Sequence, residues 1–287
     1  MSSLLFRISG KIILFAGLAF FFLIALSHRQ IFSEDCTGSQ HFSVVASGTI
    51  TDQRIDESSG LVLDKDSLFW THNDDTDSAL YLISAKGNLK EVWTLPYRNR
   101  DWEEITSDKE GNLYVGNFGN NMNYQLLTTI NKIDPKSKKV LGKIKFMYED
   151  HLEFEIVNPM KMNFDCEAMV HSGDSLYLFT KNKSERSTHV YVLPDEPGRY
   201  IARKKQEIRL LGMVTAASLR SDEKELALLT YGKVYFFSLK DGLKKIPQPD
   251  YCLAWWQSRQ SESLAYWGRD SLLMGNEQRE LFLIKRK

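Results

Sequence analysis

Apolar and polar positions along this chain fall into a unit that recurs five times, a short polar start followed by two strand-like runs. The unit reads Ser59-Gly-Leu-Val to Ser67-Leu-Phe-Trp, Glu103-Glu-Ile-Thr to Asn112-Leu-Tyr-Val, and Glu167-Ala-Met-Val to Ser175-Leu-Tyr-Leu. It returns as Ala217-Ser-Leu-Arg to Glu225-Leu-Ala-Leu and Glu262-Ser-Leu-Ala to Ser271-Leu-Leu-Met. Successive anchors lie 44, 64, 50 and 45 residues apart, against the roughly 40–50 residues of a propeller blade. Two positions after each anchor stands an apolar residue (Leu61, Ile105, Met169, Leu219, Leu264), the period of a strand with one face buried. Turns rich in Asp, Gly, Lys and Ser follow, as hairpin connections require. The second and third runs are continuously apolar and suit strands covered on both faces. Weaker fourth runs stand at Lys90-Glu-Val-Trp-Thr-Leu, Leu141-Gly-Lys-Ile-Lys-Phe-Met and Gln206-Glu-Ile-Arg-Leu-Leu.

The pattern predicts an all-β protein: a β-propeller of five blades, each of four antiparallel strands, with six blades as the alternative. The last unit stops after its third strand, while an orphan strand, Phe42 to Ile50, precedes the first anchor. It is expected to pair with Leu281 to Ile284 and close the ring, which hides edges that an open sheet leaves unpaired. The long step between Glu103 and Glu167 reads as an extended loop from Asp150 to Asn163.

Residues 1–29 read as a membrane anchor or signal peptide, 30–40 as a linker and 41–287 as the propeller domain. Arg7 and Lys11 precede an uncharged run from Ile12 to Leu26, the arrangement that directs export. Ala25-Leu-Ser27 offers a small-x-small cleavage site, and an uncleaved anchor is the alternative. Either outcome places the propeller in the cell envelope, on the extracytoplasmic side, attached to the inner membrane through its N-terminal segment or released from it.

The chain carries 37 basic and 37 acidic side chains, so it lacks the broad positive field that nucleic-acid binding needs. Three cysteines, Cys36, Cys166 and Cys252, make no disulfide scaffold and no metal spacing. A Cys36 to Cys252 bridge would tie the closing strand to the last blades; unpaired buried cysteines are the alternative. No catalytic motif, phosphate-cradling loop or dinucleotide fingerprint is legible. The tryptophans, Trp255 and Trp256 included, are expected to fill cores between blades, although an exposed pair would suggest glycan binding.

Several segments carry a resemblance: Glu57-Ser-Ser-Gly-Leu, Trp70-Thr-His-Asn-Asp, Asp101-Trp-Glu-Glu-Ile, Tyr114-Val-Gly-Asn-Phe-Gly-Asn-Asn, Asp165-Cys-Glu-Ala-Met and Ser261-Glu-Ser-Leu-Ala. In these the chain resembles a family of bacterial exported β-propeller proteins without an assigned activity. That family tends to carry Asp where this chain has Asn117 and Asn120, so the resemblance implies no metal role for those two. The Glu-Ser-Ser-Gly-Leu start is also similar to calcium-dependent propellers of the phytase and lactonase type.

In antiparallel strands the start of the first and the end of the second lie together, which locates a polar face at the mouth of the central channel. It is expected to gather Glu103, Glu167 and Glu262 as metal ligands, and His72, Asn73, Asn117, Lys181, Tyr231 and Glu277 as ligand-binding residues. Asp101 and Asp165, two residues before Glu103 and Glu167, share their strand face. Converging carboxylates repel unless a cation intervenes, and Ca²⁺ suits oxygen donors in flexible geometry. Acidic side chains at strand starts also serve a structural role by accepting backbone N–H groups from a neighbouring blade, and Lys181 beside Glu167 reads as an ion pair. The alternating Asn73, Asp75 and Asp77 read as a polar turn, since Ser84 stands where a calcium loop needs Glu.

Two functions follow. The first is an envelope module binding a small molecule, glycan or envelope protein at this face, with Ca²⁺. The second is a metal-dependent hydrolase of the phytase or lactonase type.

Overall fold

Alternating burial along short runs, punctuated by turn residues, produces strands throughout the computed structural model. It describes Cys36 and residues 38–151, 163–183, 187–255 and 259–287. The expected apolar N-terminal segment, most of the Asp150 to Asn163 loop and Trp256 lie outside the described residues. Among the described residues no helix is long and apolar enough to cross a membrane.

The chain enters through β1 (Phe42–Thr49) and then makes a series of antiparallel meanders. The first comprises β2 (Ser58–Lys65), β3 (Leu68–Asn73), β4 (Ala79–Ser84) and β5 (Leu89–Thr94). The second holds β6 (Trp102–Ser107), β7 (Leu113–Asn117), β8 (Thr128–Asp134) and β9 (Lys139–Tyr148). Next come β10 (Cys166–Ser172), β11 (Ser175–Thr180), β12 (Ser187–Pro194) and β13 (Gly198–Arg209). A further meander runs through β14 (Val214–Leu219), β15 (Glu225–Thr230), β16 (Lys233–Ser238) and β17 (Tyr251–Ala254). The chain ends in β18 (Ser261–Tyr266), β19 (Ser271–Asn276) and β20 (Glu280–Arg286).

The orphan strand does what its isolation predicts. β1 pairs antiparallel with β20, Phe42 opposite Arg286 and Val44 opposite Ile284, and completes a four-stranded sheet with β18 and β19. One feature departs from separate four-stranded sheets: the outermost strands β9 and β13 pair in parallel, Gly198 opposite Ile144, so two meanders merge into one sheet of eight strands. Both strands are long, 10 and 12 residues, and Gly198 to Ala202, which β13 extends past its ladder with β12, meet the last five residues of β9.

The first strands touch one another in a closed cycle, β2 to β6, β6 to β10, β10 to β14, β14 to β18 and β18 back to β2. This is the arrangement of a β-propeller, with first strands lining the axis. Apolar residues fill the spaces between neighbouring sheets. Phe42, Phe236, Leu264 and Ile284 share one such core, and Trp70, Trp102, Ile105 and Val115 another. Burying Trp102, which is fully covered, is worth roughly 2–3 kcal/mol or more. Trp70 and Trp102 thus take the core role expected of them. Cys36 and Cys252 are both disulfide-bonded, and Cys166 is free and buried.

Candidate functional site at the acidic mouth of the channel

Each axial strand is broken near its start by an extra residue. The register of β6, β10 and β18 against the following strand skips Glu103, Glu167 and Glu262, while β2 and β14 skip Gly60 and Thr215. A bulge bends the strand and re-aims its side chains, which turns these glutamates toward the axis. The residue before the bulge pairs with the last residue of the second strand in four units: Trp102 with Asn117, Cys166 with Thr180, Val214 with Thr230 and Ser261 with Asn276. That register corrects two anchors. Gly60, not Ser59, and Thr215, not Ala217, are the counterparts of Glu103; Ala217 lies two residues deeper, opposite Leu228. A shift of two residues preserves the strand face, so periodicity alone does not separate the two readings.

At this mouth Asp74, Asp101 and Glu103 each offer a carboxylate oxygen within 4.8 Å of the other two, and Glu103, Asp165 and Glu167 do the same. Glu103 is shared. Two lysines are committed to the second group, Lys181 Nζ at 3.0 Å from Glu167 and Lys183 Nζ at 2.9 Å from Asp165. The ion pair expected between Lys181 and Glu167 is therefore present. Lys181 also lies over the Tyr231 ring, 5.4 Å from its centroid, and Tyr231 donates its hydroxyl to Glu262 at 2.6 Å. Among the described residues Asp74, Asp101, Glu103, Asp165, Glu167, Glu262 and Glu277 thus face two lysines.

The charges respond accordingly. Burial first, and then Asp101 and Glu262, push the Asp74 carboxyl up to about 8. Burial raises Asp101 too, although a hydrogen bond from Asp74 opposes the rise. Glu103 is held well above the usual carboxylate range by burial, then by Glu167 and Asp74. Glu277 is pushed up to about 7 by burial and by Glu262 and Glu57. Against burial, which lowers it, Glu167, Tyr231 and Glu262 keep Lys181 charged. Crowded carboxyls that hold protons at neutral pH are a site lacking positive charge.

The loop after β7 shapes this pocket of oxygens. A Cβ on Gly119 would stand 2.2 Å from Glu103 Oε1 and 2.4 Å from Asp101 Cγ, so only glycine lets the backbone approach so closely. Next in the loop, Asn120 donates its backbone N–H to Asp165 at 2.9 Å.

The expected ligand-binding residues divide. Lys181, Tyr231 and Glu277 stand among the carboxylates, as just described. His72 is fully buried, edge-on to Trp102, with Nδ1 3.0 Å from the Asn73 carbonyl. Asn73 is buried as well and donates its side chain to the Arg54 carbonyl at 2.7 Å, while Asn117 donates to the Arg98 carbonyl at 3.0 Å. Among the expected metal ligands, Glu103 and Glu167 meet in one group; Glu262 is engaged by Tyr231 and belongs to neither group.

Three residues escaped sequence reasoning. Asp74 follows the end of β3 and closes back on Glu57, its N–H donating to that carbonyl at 3.0 Å; the adjacent His72-Asn73 drew attention one position short. Lys183 carries no sequence signal. Glu104 carries one, a second acid directly after Glu103 in an otherwise buried strand. Its carboxylate is fully buried and accepts the N–H of Ile105 at 3.1 Å and of Ala217 at 3.0 Å. It also receives backbone bonds from Leu61 and Met169. This one carboxylate thus ties together β2, β6, β10 and β14. The structural role expected of acids at strand starts is filled by Glu104 and, through the Asn120 N–H, by Asp165.

No protein-family model and no curated protein matches the chain. Among solved structures it is similar to the virginiamycin B lyase of Staphylococcus aureus, at 10% identity and a TM-score of 0.40, over 80% of this chain and 66% of that one. It is also similar to the RRP9 WD40 repeats, at 10% identity and a TM-score of 0.45, over 85% of this chain and all of that one. For U3-55K the identity is 11% and the TM-score 0.43, over 86% and 99% of the two chains.

Proposed function

We propose that this chain is an exported, five-bladed β-propeller that binds a hard divalent cation, Ca²⁺ foremost, at the acidic mouth of its channel and through that cation an anionic ligand or envelope partner. One observation carries the reading. Asp74, Asp101 and Glu103 bring carboxylate oxygens within 4.8 Å of one another, while Lys181 and Lys183 are committed to Glu167 and Asp165. Three carboxylates leave roughly half of a calcium ion's six to eight oxygen positions for water and ligand. A bound cation would displace the protons that crowding holds on Asp74 and Glu103.

Five blades are supported by the closed cycle of five axial strands, and export by the disulfide-bonded state of Cys36 and Cys252, which belongs to oxidising compartments.

Isothermal titration of the metal-stripped protein with Ca²⁺ tests the reading. One site is expected, lost in Glu103→Gln and Asp101→Asn and retained in Glu262→Gln. Absence of any calcium binding by the folded wild type would overturn it. Adding lactones, carboxylic esters and phosphomonoesters to the calcium-loaded protein separates the two functions, since turnover of any of them would move the reading to the hydrolase.

A further inference from the structure

Away from the acidic cluster lies a cavity of about 320 Å³. Its walls come from the far ends of the axial strands, Leu61 to Leu63, Ile105 to Ser107, Ala217 to Leu219 and Ala265 to Tyr266. That volume lies at the small end of ligand pockets, roughly 300–1,000 Å³, and suits a single ring. The chemistry of its rim differs from that of the acidic mouth. Both cations of the rim have a counter-charge, Lys109 in Glu223 and Arg220 in Asp222 at 2.9 Å, and His171 Nε2 lies 2.8 Å from the Asp195 carboxylate. Glu223 also accepts the Ser172 hydroxyl at 2.6 Å, and Asp108 accepts the Asn112 side chain at 2.7 Å. These groups present fixed donors and acceptors, and the aliphatic walls between them offer an apolar face.

We propose that this cavity is a second binding site, for a neutral, polyhydroxylated ring of monosaccharide size, whose C–H face packs on Leu61, Ala217 and Ala265 and whose hydroxyls bond to the paired rim ions and to Thr106 and Ser107. An anionic ligand would have to break an existing ion pair to reach Lys109 or Arg220, whereas a hydroxyl can add to one.

The test is a saturation-transfer NMR and calorimetric titration of the full chain, in chelator, with glucose, galactose, mannose, N-acetylglucosamine and inositol, and with glucuronate and glucosamine as charged comparators. At least one neutral compound is expected to saturate, with anionic glucuronate at least tenfold weaker. Ser107→Trp fills the cavity and should abolish the signal. Should that variant fail to fold, Gly268→Asn replaces it: Gly268 has φ +78°, which asparagine tolerates, and an added Cβ there meets nothing within 4 Å. It narrows the mouth and should weaken binding at least tenfold. No saturation by any neutral compound, stronger binding of a charged comparator, or undiminished binding in the folded cavity variant would each overturn the proposal.

Discussion

The carboxylate of Glu104 accepts the backbone N–H of Ala217 at 3.0 Å, joining two axial strands 113 residues apart in the chain. The same group bonds to N–H groups of Leu61, Ile105 and Met169, so one side chain satisfies backbone donors from four strands that face no partner strand across the axis. Glu104→Gln replaces one acceptor oxygen with an NH₂ that meets N–H donors head on. Stability should fall by about 1–3 kcal/mol, the cost of an unmet buried group, while calcium affinity at the mouth changes little. Chemical denaturation with and without Ca²⁺ measures both, and a variant as stable as wild type would remove the keystone role.

β1 contributes Phe42, stacked on Phe236 with ring centroids 4.7 Å apart, and the whole of the ladder against β20. Deleting residues 42–49 should unwrap the final sheet and abolish the cooperative thermal transition. A synthetic peptide of that sequence, added in trans, should restore part of it by the same edge pairing. A cooperative transition at the wild-type temperature in the deletion would show that ring closure does not depend on this strand.

At Gly119 the added methyl of alanine collides with Glu103 and Asp101. Calcium affinity in Gly119→Ala should drop at least tenfold, about 1.4 kcal/mol, with a smaller effect on the melting temperature of the calcium-free protein. Calorimetry decides the matter, and unchanged affinity would separate the cation from these two carboxylates.

Burial depresses His72 to about 4, against about 6.5 when unfolded. The folded state therefore refuses a proton that the unfolded state accepts. This stability is complete above about pH 6.5 and is lost as pH falls toward 4, by about 3 kcal/mol in all. In His72→Gln the slope of unfolding free energy against pH between 6.5 and 4 should flatten by about one proton. Urea titrations at closely spaced pH values measure that slope, and an unaltered acid limb would mean that another group sets it. Asp74, raised to about 8, acts in the opposite sense: stability rises as pH falls through 8, and bound Ca²⁺ should suppress that rise.

Five polar-to-apolar starts with second strands of similar length were legible because a strand buried on both faces leaves a continuous apolar run and hairpins demand turn residues. The closing role of Phe42 to Thr49 followed by the same logic, an unpaired strand at each end. Glu103, Glu167 and Lys181 were found because repeat position places them at one mouth. Beyond that, the sequence is silent for a physical reason. The alternation of a strand specifies a face and not a depth, so Ala217 was set two residues from its true register, and the bulges that turn Glu103 and Glu167 to the axis leave no local trace. Whether an acid becomes a backbone acceptor like Glu104, a half-buried neighbour like Asp74 or the partner of a lysine like Glu167 depends on which side chains arrive from strands distant in the chain. The merging of β9 with β13 and the cavity lined by Leu61, Ile105 and Ala217 are likewise products of how the sheets meet, which only the closed ring decides.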